Sequence, residues 1–188
     1  MNFVQPIRDK NKIEEMKDEL RKHGTRNFML FYVGINSGLR ISDLLKLNYD
    51  DVRNEDGTMK SHISIIEKKT NKSKMFPIAN GLYTKLEKYT KNMKSSEYLF
   101  KSQKGVNRPI SASQAYRIIV AAGTNVGLTG LGTHTLRKTF GYHHCYCIAF
   151  EFIKLYTSIL FLLFSKSYTY FNLFAPCTFV FFHHNFHL

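Results

Sequence analysis

The sequence predicts a mainly α-helical fold with a small antiparallel β-sheet, and three observations carry that expectation. Apolar residues recur at helical spacing through most of residues 1–144, polar capping residues precede several of those runs, and one pair of short alternating segments is joined by a polar, lysine-rich turn. With 188 residues there is room for one domain with a real core plus an appendage.

Taken in order, Asn11 followed by Glu14 predicts a helix start, with Ile13, Met16 and Leu20 on one face and Gly24 at the end. Phe28, Phe31, Tyr32 and Ile35 predict a second helix that Asn36-Ser37-Gly38 interrupts, after which helical spacing resumes from Leu39 to Leu47. Arg40 therefore falls at a helix junction, from which a side chain can reach into a cleft. The stretches His62 to Glu67 and Lys74 to Ile78 read as strands of a hairpin whose turn is Lys69-Thr70-Asn71-Lys72-Ser73. Asn80 is placed to cap a helix carrying Leu82, Leu86 and Tyr89. Ser111 and Gln114 form a capping box for a helix closed by Gly123. A glycine-rich loop then leads to Thr133, placed to cap a last helix that carries His134.

Composition divides the chain in two. Residues 1–144 hold 38 of the 41 charged side chains and all eleven glycines, whereas 145–188 hold ten of the sixteen phenylalanines and every cysteine. The expected organisation is a domain over 1–144 and an aberrant apolar, aromatic tail over 145–188. Lysine and arginine exceed the acids by thirteen, and a domain so basic attracts polyanions, of which nucleic acid is the commonest. Acidic residues interrupt the N-terminus, so no secretory leader is read there and a cytoplasmic location is expected. Three cysteines confined to the tail give no disulfide framework.

Two short segments carry the chemistry: Ser37-Gly38-Leu39-Arg40-Ile41-Ser42-Asp43-Leu44-Leu45 and Thr133-His134-Thr135-Leu136-Arg137-Lys138-Thr139-Phe140-Gly141. Three residues apart on a helix, His134 and Arg137 project from nearly the same face near an N-terminus, where backbone amides already favour an anion. Guanidinium forks pair bidentately with phosphate oxygens, so Arg40 and Arg137 suit a phosphate group. Asp43, one turn after Arg40, is placed to pair with a guanidinium and fix its rotamer.

These segments, with the lysine hairpin between them, resemble the tyrosine recombinases, the phage-integrase family, from about Asn11 to Tyr142. The Gly-Leu-Arg-x-Ser-Glu/Asp-Leu pattern is matched by Arg40 and Asp43, the hairpin lysine before threonine by Lys69, and His-x-x-Arg by His134 and Arg137. The resemblance implies the catalytic-domain fold of that family, here incomplete at the C-terminus, without the separate N-terminal DNA-clamping domain. It also implies site-specific recombination or integration of double-stranded DNA, without metal or other cofactor, through a 3′-phosphotyrosyl intermediate. In that scheme the arginines neutralise the non-bridging oxygens, His134 assists proton transfer and Lys69 protonates the leaving oxygen. Lys68, Lys72 and Lys74 compete with Lys69, and Lys72 and Lys74 suit phosphate-backbone binding. Other recombinase protomers are expected partners; a small-molecule substrate is not.

The pattern fails after Tyr142. The window in which the family places a further histidine or tryptophan reads Thr157-Ser158-Ile159-Leu160-Phe161-Leu162, and Tyr168 and Tyr170 near the expected nucleophile position lack the family's local surroundings. Three readings of the tail compete. A membrane anchor is disfavoured because Lys166 splits the apolar runs. A metal site from His143, His144, Cys145, Cys147, Cys177, His183, His184 and His187 lacks zinc-knuckle spacing. The preferred reading is a shifted reading frame near His144, which makes AT-rich DNA read as phenylalanine, tyrosine, leucine, isoleucine and cysteine. The expected function is thus a recombinase whose cleavage is defective in this chain, or else a non-enzymatic DNA-binding remnant of one.

Overall fold

Helices α1 (Lys10–Lys22) and α2 (Thr25–Ser37) pack against each other and form the centre of the domain. The computed structural model describes residues 4–66 and 73–144. Along α1, Ile13, Met16 and Leu20 are buried, as their helical spacing requires. Lys17 is buried on the same face because its ammonium reaches back to Glu14 at 2.7 Å and lies 5.2 Å from the centre of the Tyr32 ring. The start is two residues earlier than the sequence suggests. Asp9, not Asn11, is the N-cap, and its carboxylate accepts from the Asn11 amide at 2.8 Å.

Helix α2 is buried from Phe28 to Ile35 on every side, which marks it as the core helix against which the others are laid. It ends at Gly38, whose left-handed backbone (φ 62°, ψ 17°) lets its amide return to the Gly34 carbonyl at 3.2 Å. The expected helix from Leu39 to Leu47 is shorter: only α3 (Ile41–Leu44) is helical, with Arg40 as its N-cap. Residues 47–49 instead pair with 97–99, through Leu99 N–H to Leu47 carbonyl at 2.9 Å and Tyr49 N–H to Glu97 carbonyl at 2.8 Å. A further turn, α4 (Tyr49–Val52), is closed by a reciprocal Asn48–Asp51 capping box that the sequence reading missed.

Strands β1 (His62–Ile66) and β2 (Ser73–Pro77) form the antiparallel hairpin, with Ile63 opposite Phe76 and Ile65 opposite Lys74. Helix α5 (Asn80–Thr90) packs on α2, and α6 (Ala112–Asn125) on α1 and α2. Two expected helix signals differ. Asn80 is the first helical residue behind an Ala79 N-cap without a side-chain bond, and α6 runs through Gly123 to Asn125. Gly123 is tolerated there because Leu131 fills the space a side chain would need: a Cβ would meet Leu131 Cδ1 at 2.1 Å. Ser111 caps α6 as expected, accepting from the Gln114 amide at 3.2 Å.

Residues 133–144 form the last described helix, α7. Ahead of α1, residues 4–8 run along α7, with Ile7 buried and its amide bonded to Thr139 Oγ1 at 2.9 Å. Among the described residues no helix is long and apolar enough to cross a membrane, and no group of three potential metal ligands gathers. The tail readings at 145–188, including Tyr168, Tyr170 and the cysteines, lie outside the described residues.

Candidate functional site

Two glycines decide where the two signature segments meet. Gly34 and Gly38 are one turn apart on α2, and Leu136 and Phe140 are one turn apart on α7. A Cβ on Gly34 would stand 2.6 Å from Leu136 Cδ1, and one on Gly38 would stand 2.3 Å from Phe140 Cδ1. The missing side chains therefore make a groove into which the Leu136–Phe140 ridge of α7 is seated. Arg40 lies two residues beyond Gly38, and Arg137 follows Leu136 directly. The chain two residues before Arg40 is thus packed against the helix that carries Arg137, although nearly a hundred residues separate them in the sequence.

Each candidate has its own local support. Arg40 is half-buried, and its carbonyl accepts the Asp43 and Leu44 amides at 2.9 and 2.8 Å, which holds the residue at the head of α3. Asp43 is buried at 5% exposure; its Oδ1 takes the Ser42 hydroxyl at 3.4 Å, and its Oδ2 has no hydrogen-bond partner among the described residues.

On α7, His134 is exposed in the first turn and Arg137 is half-buried one turn on. The start of this helix differs from expectation. Thr133 is itself helical, and the capping bond is made by buried Thr135, whose Oγ1 accepts the Gly132 amide at 3.0 Å. Lys69 and Lys72 lie outside the described residues, and Lys74 is placed by its backbone opposite Ile65 in the hairpin.

Sequence reasoning missed the residues that hold this arrangement rather than those that would act in it. Thr135 and Thr139 are one turn apart on the buried side of α7, at 0% and 1% exposure, and polar residues within an apolar helical stripe are a readable signal for buried hydrogen bonding. Gly34 inside the most apolar helix was a second such signal, since a helix-weakening residue there implies close approach of a neighbour. Chemically, two guanidinium groups and an imidazole, where they converge, can bind a tetrahedral oxyanion and neutralise charge developing on it.

Comparison with known proteins bears on the fold and the family. The chain is 49% identical over 143 residues to the probable integrase/recombinase YoeC of Bacillus subtilis (strain 168), a match that spans 76% of each protein. In fold it resembles the crystal structure of XerA recombinase (TM-score 0.58, 21% identity, 73% of this chain and 48% of that one). It also resembles lambda integrase residues 75–356 bound to DNA (TM-score 0.57, 16% identity, 74% of this chain and 50% of that one). The chain thus spans about half the length of these two structures. The fold is that of a tyrosine-recombinase catalytic domain, mostly helical with its two-stranded antiparallel sheet. Both signature segments lie inside residues 8–145, the stretch matched by the model described as "Phage integrase family", and with half of its aligned residues shared with a curated integrase/recombinase the chain belongs to the phage integrase family.

Proposed function

We propose that this chain is the catalytic domain of a site-specific DNA recombinase or integrase that binds a DNA phosphate between Arg40, His134 and Arg137 but cleaves poorly or not at all. The observation that supports this reading is the seating of Leu136 and Phe140 in the Gly34–Gly38 groove, because it brings the helix bearing His134 and Arg137 against the chain two residues before Arg40. The reaction is phosphoryl transfer. A tyrosine Oη attacks phosphorus and passes its proton to solvent water, the bond to the 5′ oxygen breaks, and that oxygen takes a proton from Lys69. Arg40 and Arg137 neutralise the non-bridging oxygens as charge builds up, and His134 contributes a proton-carrying hydrogen bond. Bond energy is kept in the phosphotyrosyl ester, so a 5′ hydroxyl can reverse the attack without ATP.

Double-stranded DNA is the substrate in this reading, other protomers of the same kind are the partners, and the cytoplasm is the location. Lys72 and Lys74 hold phosphate backbone beside the cleavage point. Residues 1–144 are the functional domain and 145–188 an out-of-frame extension. A second reading, a non-enzymatic DNA-binding remnant, is favoured by one specific feature: the window Thr157–Leu162 has neither histidine nor tryptophan where the family pattern needs one.

A nicked suicide DNA substrate separates the two. A covalent protein–DNA adduct that disappears on changing Tyr168 or Tyr170 to Phe supports surviving enzyme chemistry. DNA binding that depends on Arg40 and Arg137 without any adduct supports the remnant, and DNA binding indifferent to both arginines defeats the site itself.

A further inference from the structure

We propose that residues 4–8 are a positioning strap for α7, anchored on Thr139, that sets where His134 and Arg137 stand relative to Arg40. The inference rests on the phosphate-site reading above, and adds to it residues that never touch the substrate.

The contacts of this short segment converge on one stretch of chain. The Gln5 amide donates to the Gly130 carbonyl at 3.1 Å, and the Ile7 amide to Thr139 Oγ1 at 2.9 Å. Lys138 Nζ donates to the Val4 carbonyl at 2.8 Å, and His143 Nε2 to the Ile7 carbonyl at 3.0 Å. A carbonyl can only accept, so His143 carries a proton on Nε2. The Arg8 guanidinium lies 5.7 Å from the centre of the Tyr142 ring. These partners run from the loop before α7 to its last described turn. Ile7 at 2% exposure and Thr139 at 1% place the central bond out of water, where losing one partner leaves the other unsatisfied.

The opposite constraint comes from α2. Its glycine groove holds Leu136 and Phe140, so α7 is gripped on two faces. A helix gripped on one face can slide or roll about its contact. A slip of a single residue shifts a side chain by about 1.5 Å along the axis and turns it by about 100°. Misplacement of about 1 Å is already costly at a reacting centre. The strap contacts hold the loop ahead of α7 at Gly130 and its second half from Lys138 to His143, and so oppose both movements, and Thr139, whose β-branched side chain has few rotamers, supplies a stiff anchor. Thr139 is thus a positioning residue that acts through Arg137 and His134.

The test uses the full chain, with amide exchange across residues 133–144 and affinity for a duplex DNA of arbitrary sequence at fixed salt. Thr139→Val keeps the shape and removes the acceptor; Thr139→Ser keeps the acceptor. The expected result is exchange about tenfold faster in 133–144 with α5 unchanged, and DNA binding weakened about threefold, for Val and not for Ser. In an Arg137→Ala background, Thr139→Val should cause a clearly smaller loss of DNA affinity, the part carried by His134. Loss of the same size with and without Arg137, or exchange that rises equally across the chain, overturns the proposal. If Thr139→Val does not fold, Gln5→Pro takes its place with the same expectations on exchange and affinity, since it removes the amide given to Gly130 at an exposed position of the strap. Should Arg137→Ala bind DNA as tightly as the unchanged chain, the phosphate reading falls. The strap is then decided by exchange alone, confined to 133–144 if it holds and uniform if it does not.

Discussion

Gly38 and Phe140 are in direct van der Waals contact across the α2–α7 junction, so close that a Cβ on Gly38 would meet three carbons of the ring at 2.3, 2.8 and 3.0 Å. Two independent requirements thus fall on one residue, because Gly38 also has φ 62°. Gly38→Ala is expected to destabilise the domain by about 2–4 kcal/mol, combining left-handed strain with overpacking, measured by urea unfolding. Gly34→Ala is milder, about 1 kcal/mol, because better helix propensity offsets part of the clash with Leu136. In a Leu136→Ala background the cost of Gly34→Ala should shrink, because only the 3.2 Å approach to the Cβ of residue 136 remains.

Arg40→Ala and Arg137→Ala should leave the fold largely intact and abolish phosphate-specific activity. Each should also reduce the slope of log affinity against log salt by about one, as expected for one lost phosphate contact. Circular dichroism checks the fold and DNA titrations at several salt concentrations check the slope. A variant that unfolds would make that arginine structural.

The carboxylate of Glu19 gives a pH dependence. Hydrogen bonds from Lys22 and then Asn125 pull its pKa from 4.5 down to about 2, and the Asn125 bond, at 2.7 Å, ties α1 to α6. A depressed folded-state pKa means that the contribution is whole above the unfolded value and is lost as pH falls from 4.5 towards 2. The stability gap between the unchanged chain and Glu19→Gln should therefore be widest near neutral pH and close across that acid window. Added salt should shrink it, because Lys22 is solvent-exposed.

Arg53 is a clasp with three acceptors. It donates to buried Thr90 Oγ1 at 2.8 Å, to the Glu87 carbonyl at 2.9 Å and to the Gly57 carbonyl, joining the turn after α4 to the end of α5. An ammonium cannot reproduce that planar fork, so Arg53→Lys should destabilise by about 1–3 kcal/mol in thermal or urea unfolding.

A chain ended after His144 tests the proposed division into domain and extension. It should unfold in one transition with an unchanged melting temperature and stay in solution at higher concentration, since ten phenylalanines leave with the tail. A clear drop in melting temperature would mean that the tail belongs to the fold.

How far the sequence was legible varies from element to element for physical reasons. Helices α1, α2, α5 and α6 were visible because one face of each must be apolar, and that periodicity survives any detail of packing. Their ends were less so. Asn80 and Gly123 are good local boundary signals, yet Asn80 begins its helix and Gly123 sits inside one, because neighbouring chain decides whether another turn can be buried. The run from Leu39 to Leu47 has helical spacing, but pairing of Leu47 and Tyr49 with 97–99 draws its end into an extended path, and no local pattern contains a partner fifty residues away.

By itself the sequence determined the fold class, the family, and the identity of Arg40, Asp43, Lys69, His134 and Arg137 as candidates, because motif spacing and hydrophobic period are properties of contiguous chain. Only the tertiary structure decided that α7 lies in the Gly34–Gly38 groove, that Thr135 rather than Thr133 caps it, and that residues 4–8 grip an adjoining face. Those are contacts between segments distant in the chain, and they arise from shape: two absent side chains leave room, and a ridge of two present ones fills it.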